Sequence, residues 1–362
     1  MLLKITALPG DGIGPEVTAE AVRVLEVVTK LHNHELQIST KPVGGAGLTT
    51  ANHPLPDETL QACLKSDAVL LGAVGGPAFD HHPIDLRPEK GLLKLRQALG
   101  CFANLRPAVL FPSLLDSSPL RPETVQGTDM LIVRELLGGL YFGEPRTTTG
   151  TTPNRDAVDT MRYTEASIER IARVAFDLAR HRRKQVLSVD KANVLACSRL
   201  WREVVTTVGK DYPDVALSHN YVDSCAMILV ARPAQYDVIL TENMFGDILS
   251  DLAGGVVGSL GLLASASIGG KIGLYEPVHG SAPDIAGKGI ANPLGAILSV
   301  AMMLRHSFQL EKEAEHVESA VRAVLGRGLR TRDLGRAGEE TVTTQEMGEA
   351  IVGALGKESM AR

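Results

Sequence analysis

Apolar residues occur along the chain both in short runs, which predict strands, and at a helical period, which predicts helices. The two patterns alternate. The clearest helix spans Thr164–His181, where six apolar residues share one face and Thr164 is a suitable N-cap. Short apolar runs predict strands at Lys4–Leu8, Ala68–Leu71, Met130–Val133, Val186–Val189, Val215–Tyr221 and Val238–Thr241. Further predicted helices lie at Leu294–His306, Gln309–Leu325 and Thr344–Ala354. This alternation predicts an α/β protein.

Two segments depart from the pattern. Residues Thr147–Asp159 are polar, contain Gly and Pro, and lack a helical period, which predicts an exposed hairpin or arm. Residues Gly254–Gly273 are rich in Gly, Ser and Ala, a composition typical of close backbone packing or of a hinge.

Length and charge narrow the class of protein. A chain of 362 residues predicts one large or two medium domains. The net charge of -5 gives no sign of a nucleic-acid partner, and no run approaches ~18 apolar residues, so no membrane segment is expected. The four cysteines are scattered without a C-x-x-C pair, which favours the reducing cytoplasm over a disulfide framework.

The first glycine-rich loop, Pro9–Glu16, lies between a predicted strand and a predicted helix. Its spacing is G-x-G-x-G-P, whereas Rossmann dinucleotide-binding loops have G-x-G-x-x-G. Pro15 suits the first turn of a helix. A tight strand-to-helix turn is therefore the preferred interpretation.

A second loop of small residues, 279–293, precedes the C-terminal helices. Small side chains let the backbone approach a planar ligand closely. Asp284 in this loop would accept hydrogen bonds from ribose hydroxyls and repel a 2′-phosphate. Spacing alone favours a simpler alternative, a Gly/Pro loop whose aspartate caps a helix.

Three arginines, Arg96, Arg106 and Arg134, stand among apolar residues. Arg134 ends a predicted strand, where ligand sites collect in open α/β sheets. Guanidinium groups bind carboxylates through paired hydrogen bonds, so together the three suit a dicarboxylic acid. Each one alone is more commonly a surface ion-pair partner.

Acidic residues and two proton-transfer candidates complete the set. Asp247 and Asp251 share a face of a helix predicted to begin at Gly246, and Asp223 follows another strand. Three carboxylates without His or Cys suit Mg²⁺ or Mn²⁺ rather than zinc, although acids near a helix N-terminus are the simpler interpretation of the pair. Lys191 and Tyr141 are candidate proton carriers, against the alternatives of a solvated lysine and a core tyrosine.

Taken together, these segments resemble the β-decarboxylating dehydrogenases, the family of isocitrate, isopropylmalate, homoisocitrate and tartrate dehydrogenases. The resemblance extends over nearly the whole chain, and several long motifs in the family's order are more specific than any single one. The motifs are GDGIGPE at 10–16, ANLRP at 103–107, SVDKANVL at 188–195, TENMFGDILSD at 241–251 and EPVHGSAPDIAGKGIANP at 276–293.

Within the family, VRELLGGLYFGEPR at 133–146 is similar to the isopropylmalate branch. The resemblance implies a substrate pocket that accepts an isopropyl group and repels the third carboxylate of isocitrate. That pocket would be formed by Glu89, Leu92, Leu93 and Val194.

The resemblance also implies a fold that is not Rossmann: two α/β domains that share a large twisted mixed sheet of about ten strands. The first domain would combine residues 1–100 with 254–362 and bind the cofactor. The second, residues 101–253, would carry the dimer interface and an exchanged arm near 142–162. In such a homodimer, Lys191 and Asp223 serve the partner's active site.

The implied reaction is oxidation and decarboxylation of a 2-hydroxy diacid with NAD and a divalent metal, in leucine biosynthesis. Arg96, Arg106 and Arg134 would hold the carboxylates, and Asp223, Asp247 and Asp251 the metal. Lys191, helped by Asp223, would remove the hydroxyl proton, and Tyr141 would return a proton to carbon. NAD would be bound by His279, Gly280, Ser281, Ala282, Asp284, Ile285 and Asn292.

Three alternatives stay open at this point. One is another enzyme of the family, acting on D-malate, tartrate or homoisocitrate. The second is a non-catalytic regulatory subunit with the same fold, although such subunits usually lose metal or base residues that this chain retains. The third is a metal-independent hydroxyacid dehydrogenase of the Rossmann type.

Overall fold

The computed structural model describes residues 1–336 and 338–360, which form strands and helices in alternation. The strands are β1 Leu2–Gly10, β2 Glu35–Thr40, β3 Ala68–Ala73, β4 Ala103–Val109, β5 Asp129–Glu135, β6 Thr147–Thr151, β7 Asn154–Val158, β8 Gln185–Asp190, β9 Ala216–Tyr221, β10 Val238–Thr241, β11 Ala264–Ile268 and β12 Gly273–Pro277. The helices are α1 Gly14–Leu31, α2 Gly45–Ala51, α3 Asp57–Lys65, α4 Pro88–Leu99, α5 Pro122–Val125, α6 Glu165–Arg180, α7 Ala196–Gly209, α8 Val222–Ala231, α9 Asn243–Val257, α10 Leu294–Phe308, α11 Glu311–Gly326 and α12 Thr344–Met360.

Ten of the strands form one mixed sheet in the order β2-β1-β3-β12-β11-β4-β5-β10-β8-β9. The pairs β4–β5 and β11–β12 are antiparallel, whereas β1 is parallel to β2 and β3, and β10 is parallel to β5 and β8. The predicted fold class, an α/β protein with a large mixed sheet and no Rossmann arrangement, is confirmed.

The described residues cluster into two compact units. Unit 1 comprises Met1–Cys101, Phe111–Pro119 and the chain from Gly258 onward, and unit 2 comprises Phe102–Leu110 and Leu120–Val257. The segment Phe111–Pro119 belongs to unit 1, where Arg330 donates to the carbonyl of Ser113 at 2.5 Å. The roles expected of the two domains, cofactor binding and dimer formation, stay predictions.

Helix α6 shows how closely local sequence determines an element here. The side chain of Thr164 accepts from the backbone N–H of Ser167, and the Ser167 hydroxyl accepts from the backbone N–H of Thr164, which completes a capping box. All six apolar residues predicted to share one face are buried. The predicted helix and its N-cap are confirmed.

The loop after β1 is the tight turn expected from its glycines. Gly10 and Gly12 have φ values of 73° and 57°, and a Cβ on Gly12 would lie 1.9 Å from the carbonyl oxygen of Ser281. The carboxylate of Asp11 accepts from the backbone N–H groups of Gly45, Ala46 and Gly75. The turn therefore holds two further loops of unit 1 in place.

The polar segment near 147–159 is a two-stranded antiparallel hairpin, β6–β7, whose residues are all exposed. The prediction of an exposed hairpin is confirmed. Its exchange between two subunits stays a prediction.

Candidate active site

The register of three strands brings candidate residues of unit 2 to one place. Asn104 on β4 lies directly opposite Arg134 on β5, so Arg106, two residues along, faces the same side of the sheet. Thr241, the last residue of β10, pairs with Arg134 on the other side. Helix α9, which follows β10, therefore begins beside Arg134.

Helix α9 begins at Asn243, so the expectation that it starts at Gly246 is wrong. The reason is the side chain of Glu242, which accepts from the backbone N–H groups of Met244 and Phe245 at 3.1 and 2.7 Å and caps the helix. Glutamate is an uncommon cap, and this one is buried. Burial raises the pKa of Glu242, and these hydrogen bonds oppose that shift.

Asp247 is the common acceptor of the site. Its Oδ1 accepts from Arg134 Nη1 at 2.5 Å and from Arg106 Nη1 at 3.2 Å, and its Oδ2 accepts from the Tyr141 hydroxyl at 2.8 Å. Asp251, one helical turn further on, lies 3.6 Å from Arg106 Nη1. We call these five residues the arginine cluster.

Burial and neighbouring charges shift the pKa values of Tyr141 and Asp251 in the arginine cluster. Burial and the adjacent Asp247 charge raise the pKa of Tyr141 to about 12, so this hydroxyl stays protonated at neutral pH. Burial also raises the pKa of Asp251, although the positive charge of Arg106 opposes the shift. The cluster thus combines two cations, two acids on one helix face and one proton donor.

Arg96, the third predicted arginine, lies in unit 1 at the end of α4. Its Nη2 donates to Glu276 Oε1 at 2.6 Å, and both side chains are buried. Its Nε is buried and has no hydrogen-bond partner within the described chain. Glu276 was not among the predicted site residues, although it is the first residue of the EPVHGSAPDIAGKGIANP motif.

Lys191 and Asp223 form a second cluster in unit 2. Lys191 follows β8, Asp223 lies in the first turn of α8 after β9, and the two side chains are in direct contact. The Lys191 ammonium holds the pKa of Asp223 below its usual range. Asp223 does not join Asp247 and Asp251, because residues 1–336 and 338–360 contain no group of three His, Cys, Asp or Glu side chains suited to a metal ion.

The predicted pocket residues lie in two places. Glu89, Leu92 and Leu93 occupy one stretch of α4 at spacings that place them on the same side as Arg96, with Glu89 exposed and both leucines half-buried. Val194 lies in the loop before α7 and is 63% exposed. An apolar side chain that exposed is available for contact with a ligand.

Unit 1 contains a cavity of about 390 Å³, which we call the loop cleft. Four of the predicted cofactor residues line it, whereas Gly280, Ser281 and Asp284 are absent from its lining. The lining residues are Ile13, Ser259, Gly261, His279, Ala282, Ile285, Ile290, Ala291, Asn292, Arg332 and Asp333. A larger open depression of about 600 Å³ beside α1 and β2 contains none of the predicted residues, so size alone does not identify the site.

Asp333 is the acidic residue that lines the loop cleft. The sequence predicted Asp284 as the acidic residue of the cofactor site. Its carboxylate accepts from Ser259 Oγ at 2.5 Å, Asn292 Nδ2 at 3.0 Å and Thr331 Oγ1 at 2.6 Å. Asp284 is exposed. No motif marks Asp333, which lies 41 residues beyond Asn292 in the chain.

His279 lines the loop cleft and has one ring nitrogen without a partner among the described residues. Its Nδ1 lies 2.9 Å from the carbonyl oxygen of Gly280, while its Nε2 is buried without a hydrogen-bond partner in the described residues. Burial lowers the pKa of His279, which favours the neutral imidazole. A buried polar atom without a partner suits a ligand that supplies one.

Comparison with known proteins agrees with this geometry. The model of the isocitrate/isopropylmalate dehydrogenase family matches residues 4–351. The chain belongs to this family. The family predicted from the sequence motifs is therefore confirmed.

Similar proteins within the family cover almost the whole chain. A 3-isopropylmalate dehydrogenase of Pseudomonas fluorescens (strain Pf0-1) is 58% identical over 357 residues, which are 98% of this chain and 99% of that protein. A protein of the same name from Heyndrickxia coagulans is 56% identical over 98% of this chain and 97% of its own length. The crystal structure of isocitrate dehydrogenase from Methylococcus capsulatus has a TM-score of 0.87 at 39% identity, over 98% of this chain and 99% of that one.

A second similar structure is the crystal structure of a β-decarboxylating dehydrogenase from Thermococcus kodakarensis. It has a TM-score of 0.78 at 36% identity and covers 98% of this chain and 96% of that one. No helix among the described residues is both long and apolar enough to span a membrane.

Proposed function

We propose that this enzyme converts (2R,3S)-3-isopropylmalate to 2-oxo-4-methylpentanoate with reduction of NAD, a step of leucine biosynthesis. The observation that carries the proposal is the arginine cluster, in which Arg106, Arg134 and Tyr141 converge on Asp247. The relatives that are 56–58% identical and named 3-isopropylmalate dehydrogenase support the choice of substrate.

The reaction moves a hydride from C2 to NAD, releases the carboxyl group on C3 as carbon dioxide and places a proton on C3. Arg96, Arg106 and Arg134 hold the two carboxylates, since guanidinium groups donate paired hydrogen bonds to them. The contacts of Arg106 and Arg134 with Asp247 hold these two guanidinium groups in place before any bond changes.

Two residues move protons in opposite directions. Lys191 accepts the proton of the C2 hydroxyl, and Asp223, which contacts Lys191, holds its side chain in place. Tyr141 donates a proton to C3 after the carboxyl group has left. Its raised pKa of about 12 keeps that proton in place until C3 becomes basic enough to take it.

A divalent cation fits the acids of the arginine cluster. Asp247 and Asp251 offer carboxylate oxygens from adjacent turns of α9, and oxygen donors are the ligands that Mg²⁺ and Mn²⁺ prefer. We propose that Asp223 of a partner subunit completes this set. When bound, the cation supplies positive charge at the C2 oxygen.

The loop cleft is the proposed site for NAD. Its small residues leave room for a planar group, and the buried Nε2 of His279 has no partner within the described chain. His279, Ala282, Ile285 and Asn292 line it directly, and we assign Gly280, Ser281 and Asp284 to the same loop's contacts with the cofactor. Asp284 and Asp333 together disfavour the additional phosphate of NADP.

Substrate selection is assigned to Glu89, Leu92, Leu93 and Val194. The apolar side chains would contact the isopropyl group, and the exposed carboxylate of Glu89 would repel the third carboxylate of isocitrate. Discrimination would then combine an attractive contact with a repulsive one.

A homodimer is part of the proposal, because Lys191 and Asp223 do not join the arginine cluster within one chain. Helices α8 and α9 contact each other and expose apolar side chains, of which Met227 is 70% and Ile248 is 59% exposed. An exposed apolar surface of this kind is typical of a subunit interface. The arm near 142–162 would extend the same interface.

The proposed location is the cytoplasm. All four cysteines are free thiols, and burial raises the pKa of Cys63, Cys101 and Cys225 to about 12. Such thiols are poorly reactive and suit a reducing compartment.

The test follows product and stoichiometry with purified protein, 3-isopropylmalate, NAD and Mn²⁺. We expect one NADH and one carbon dioxide for each 2-oxo-4-methylpentanoate, and no turnover with EDTA. NADH without carbon dioxide, or turnover that is unaffected by EDTA, would contradict the proposal. No turnover would favour a non-catalytic subunit.

A further inference from the structure

Asn243, the first residue of α9, has all of its polar atoms engaged although it is completely buried. Its Oδ1 accepts from both Nε and Nη2 of Arg134, at 3.0 and 2.8 Å. Its Nδ2 donates to the backbone carbonyls of Leu136 and Gly138, at 3.1 and 3.0 Å. The amide therefore links the start of α9 to the chain that follows β5.

This contact determines where the Arg134 guanidinium points. Arg134 is only 2% exposed, and with its Nε and Nη2 edge held by Asn243, its Nη1 is directed to Asp247. The neighbouring Arg106 is held in a similar way, since its Nε donates to Asn104 Oδ1 at 2.7 Å. In both cases a neutral amide oxygen meets the guanidinium edge.

The neutrality of the amide matters for an anionic ligand. Arg96 is paired with the carboxylate of Glu276, which offsets its charge. Arg134 is paired with Asp247, and because an amide oxygen orients a guanidinium without carrying a net charge, Asn243 adds no second negative charge beside it. An aspartate at this position would keep the acceptor for Arg134 but lose the two hydrogen bonds to the Leu136 and Gly138 carbonyls, and its charge would weaken the attraction of Arg134 for a carboxylate.

Gly246 lies one helical turn after Asn243 on the same face of α9. A Cβ added here would lie 2.6 Å from Cγ of Arg134 and 2.8 Å from its Cβ. Real Cβ atoms do not approach other atoms that closely, so an alanine would displace the stem of Arg134 or shift the helix. The absence of a side chain at Gly246 lets α9 lie directly against Arg134.

We propose that Asn243 and Gly246 are positioning residues that fix the Arg134 guanidinium for a carboxylate of the substrate. Asn243 fixes the direction of the guanidinium edge, and Gly246 makes room for the methylene stem. The proposal rests on the proposed function, because that function makes Arg134 a substrate ligand.

The first experiment compares Gly246→Ala with Gly353→Ala. Gly353 lies in helix α12, where an added Cβ would meet nothing within 4 Å. We expect Gly246→Ala to raise the KM for 3-isopropylmalate about tenfold or more, on the scale of a lost charged hydrogen bond, with the KM for NAD unchanged. Gly353→Ala should leave both constants at wild-type values. Equal KM values for the two variants would overturn the role of Gly246.

The second experiment is a double-mutant cycle of Asn243→Ala with Arg134→Lys. A lysine lacks the Nε and Nη2 pair that Asn243 accepts from. We expect Asn243→Ala to raise the KM for 3-isopropylmalate roughly 10- to 100-fold in the wild type and less than about twofold in Arg134→Lys, with kcat changed less than KM. Effects that multiply independently would overturn the role of Asn243.

Two controls separate positioning from loss of folding. Thr128→Val removes another buried hydrogen bond of unit 2, the one to the Val125 carbonyl, and should lower the unfolding midpoint without changing KM. Asn243→Asp keeps the acceptor, loses the Nδ2 donor and adds charge, so it should raise the KM for 3-isopropylmalate even where the protein remains folded. Wild-type inactivity would refute the proposed function, whereas active wild type with unchanged KM in the Gly246 and Asn243 variants would refute only this inference.

Discussion

The arginine cluster and the loop cleft are two different ways of building a binding site. In the arginine cluster, the side chains of Arg106, Arg134 and Tyr141 all donate to Asp247 at 2.5–3.2 Å, so they share one acceptor. The loop cleft is an open volume of about 390 Å³ formed mainly by small and apolar residues. We therefore expect single substitutions to have large, coupled effects in the cluster and small, separable effects in the cleft.

The largest effect should come from Asp247→Asn. This change removes the negative charge of a half-buried carboxylate that Arg106, Arg134 and Tyr141 all contact, so both the metal ligand and the alignment of the two arginines are disturbed. We expect kcat/KM to fall about a thousandfold or more and Mn²⁺ binding, followed by electron paramagnetic resonance, to weaken strongly. Wild-type Mn²⁺ affinity in this variant would contradict the role of Asp247.

Lys191→Met should be next in size, and it tests the second cluster. Removing the base at the C2 hydroxyl should lower kcat about 100- to 1000-fold and leave the KM for 3-isopropylmalate within a few-fold. Circular dichroism should show an unchanged fold. Lys210→Met, on the surface after α7, is the matched control and should keep full activity.

A mixed-dimer experiment sharpens the same prediction. Inactive Lys191→Met and Asp247→Asn proteins, unfolded and refolded together, should regain part of the wild-type activity, because one of the two sites in each hybrid dimer then has all its residues. No recovery, with hybrids present by mass spectrometry, would contradict the shared active site.

A smaller effect is expected from pH, through Asp251. Burial raises the pKa of this carboxyl, so its charged form is disfavoured in the folded protein. Mn²⁺ affinity should therefore fall, as pH decreases, at a higher pH than for an unperturbed aspartate of pKa about 3.9. The same shift means that the metal-free protein loses stability as pH rises through the raised pKa.

The check is a pair of titrations of wild type and Asp251→Asn. The variant should lose the pH dependence of Mn²⁺ binding contributed by this residue, and its metal-free form should unfold at a higher temperature than the wild type at pH 7 but not at low pH. Parallel curves for the two proteins at all pH values would contradict the assignment.

The smallest effect is expected in the loop cleft. Ser259 and Asn292 donate hydrogen bonds to the Asp333 carboxylate, and in Asp333→Asn an amide N–H₂ would replace one of its oxygens. We therefore expect the KM for NAD to rise roughly tenfold. The KM for 3-isopropylmalate should stay unchanged. Asp284→Asn is the informative comparison. A larger effect of Asp284→Asn would favour the interpretation made from the sequence alone.

Much of this architecture could be predicted from the sequence because local patterns determined it. The face of α6, the strand β10 and the turn at Gly10–Gly14 each follow from neighbouring residues. Strand β11, with the sequence ASASI, was missed because Ala and Ser are not typical strand residues and the segment was interpreted by its small-residue composition. Strand β2 was missed because it is a mostly polar edge strand.

The sequence predicted several residues of the candidate site but not the contacts between them. The motifs pointed to Arg106, Arg134 and Asp247, yet nothing in them showed that Asn243 holds Arg134 or that Glu242 caps α9. Asp333 escaped detection because it reaches the loop cleft from a distant, irregular segment. Such contacts depend on tertiary packing, which a linear pattern does not contain.

We propose that the arginine cluster and the loop cleft together select 3-isopropylmalate and NAD. The most direct measurement is kcat/KM of the wild-type protein for 3-isopropylmalate, isocitrate and D-malate, each with NAD and with NADP, in the presence of Mn²⁺. We expect the highest value for 3-isopropylmalate with NAD. A higher value for isocitrate or D-malate would contradict the pocket assigned to Glu89, Leu92, Leu93 and Val194, and a preference for NADP would contradict the acidic loop cleft.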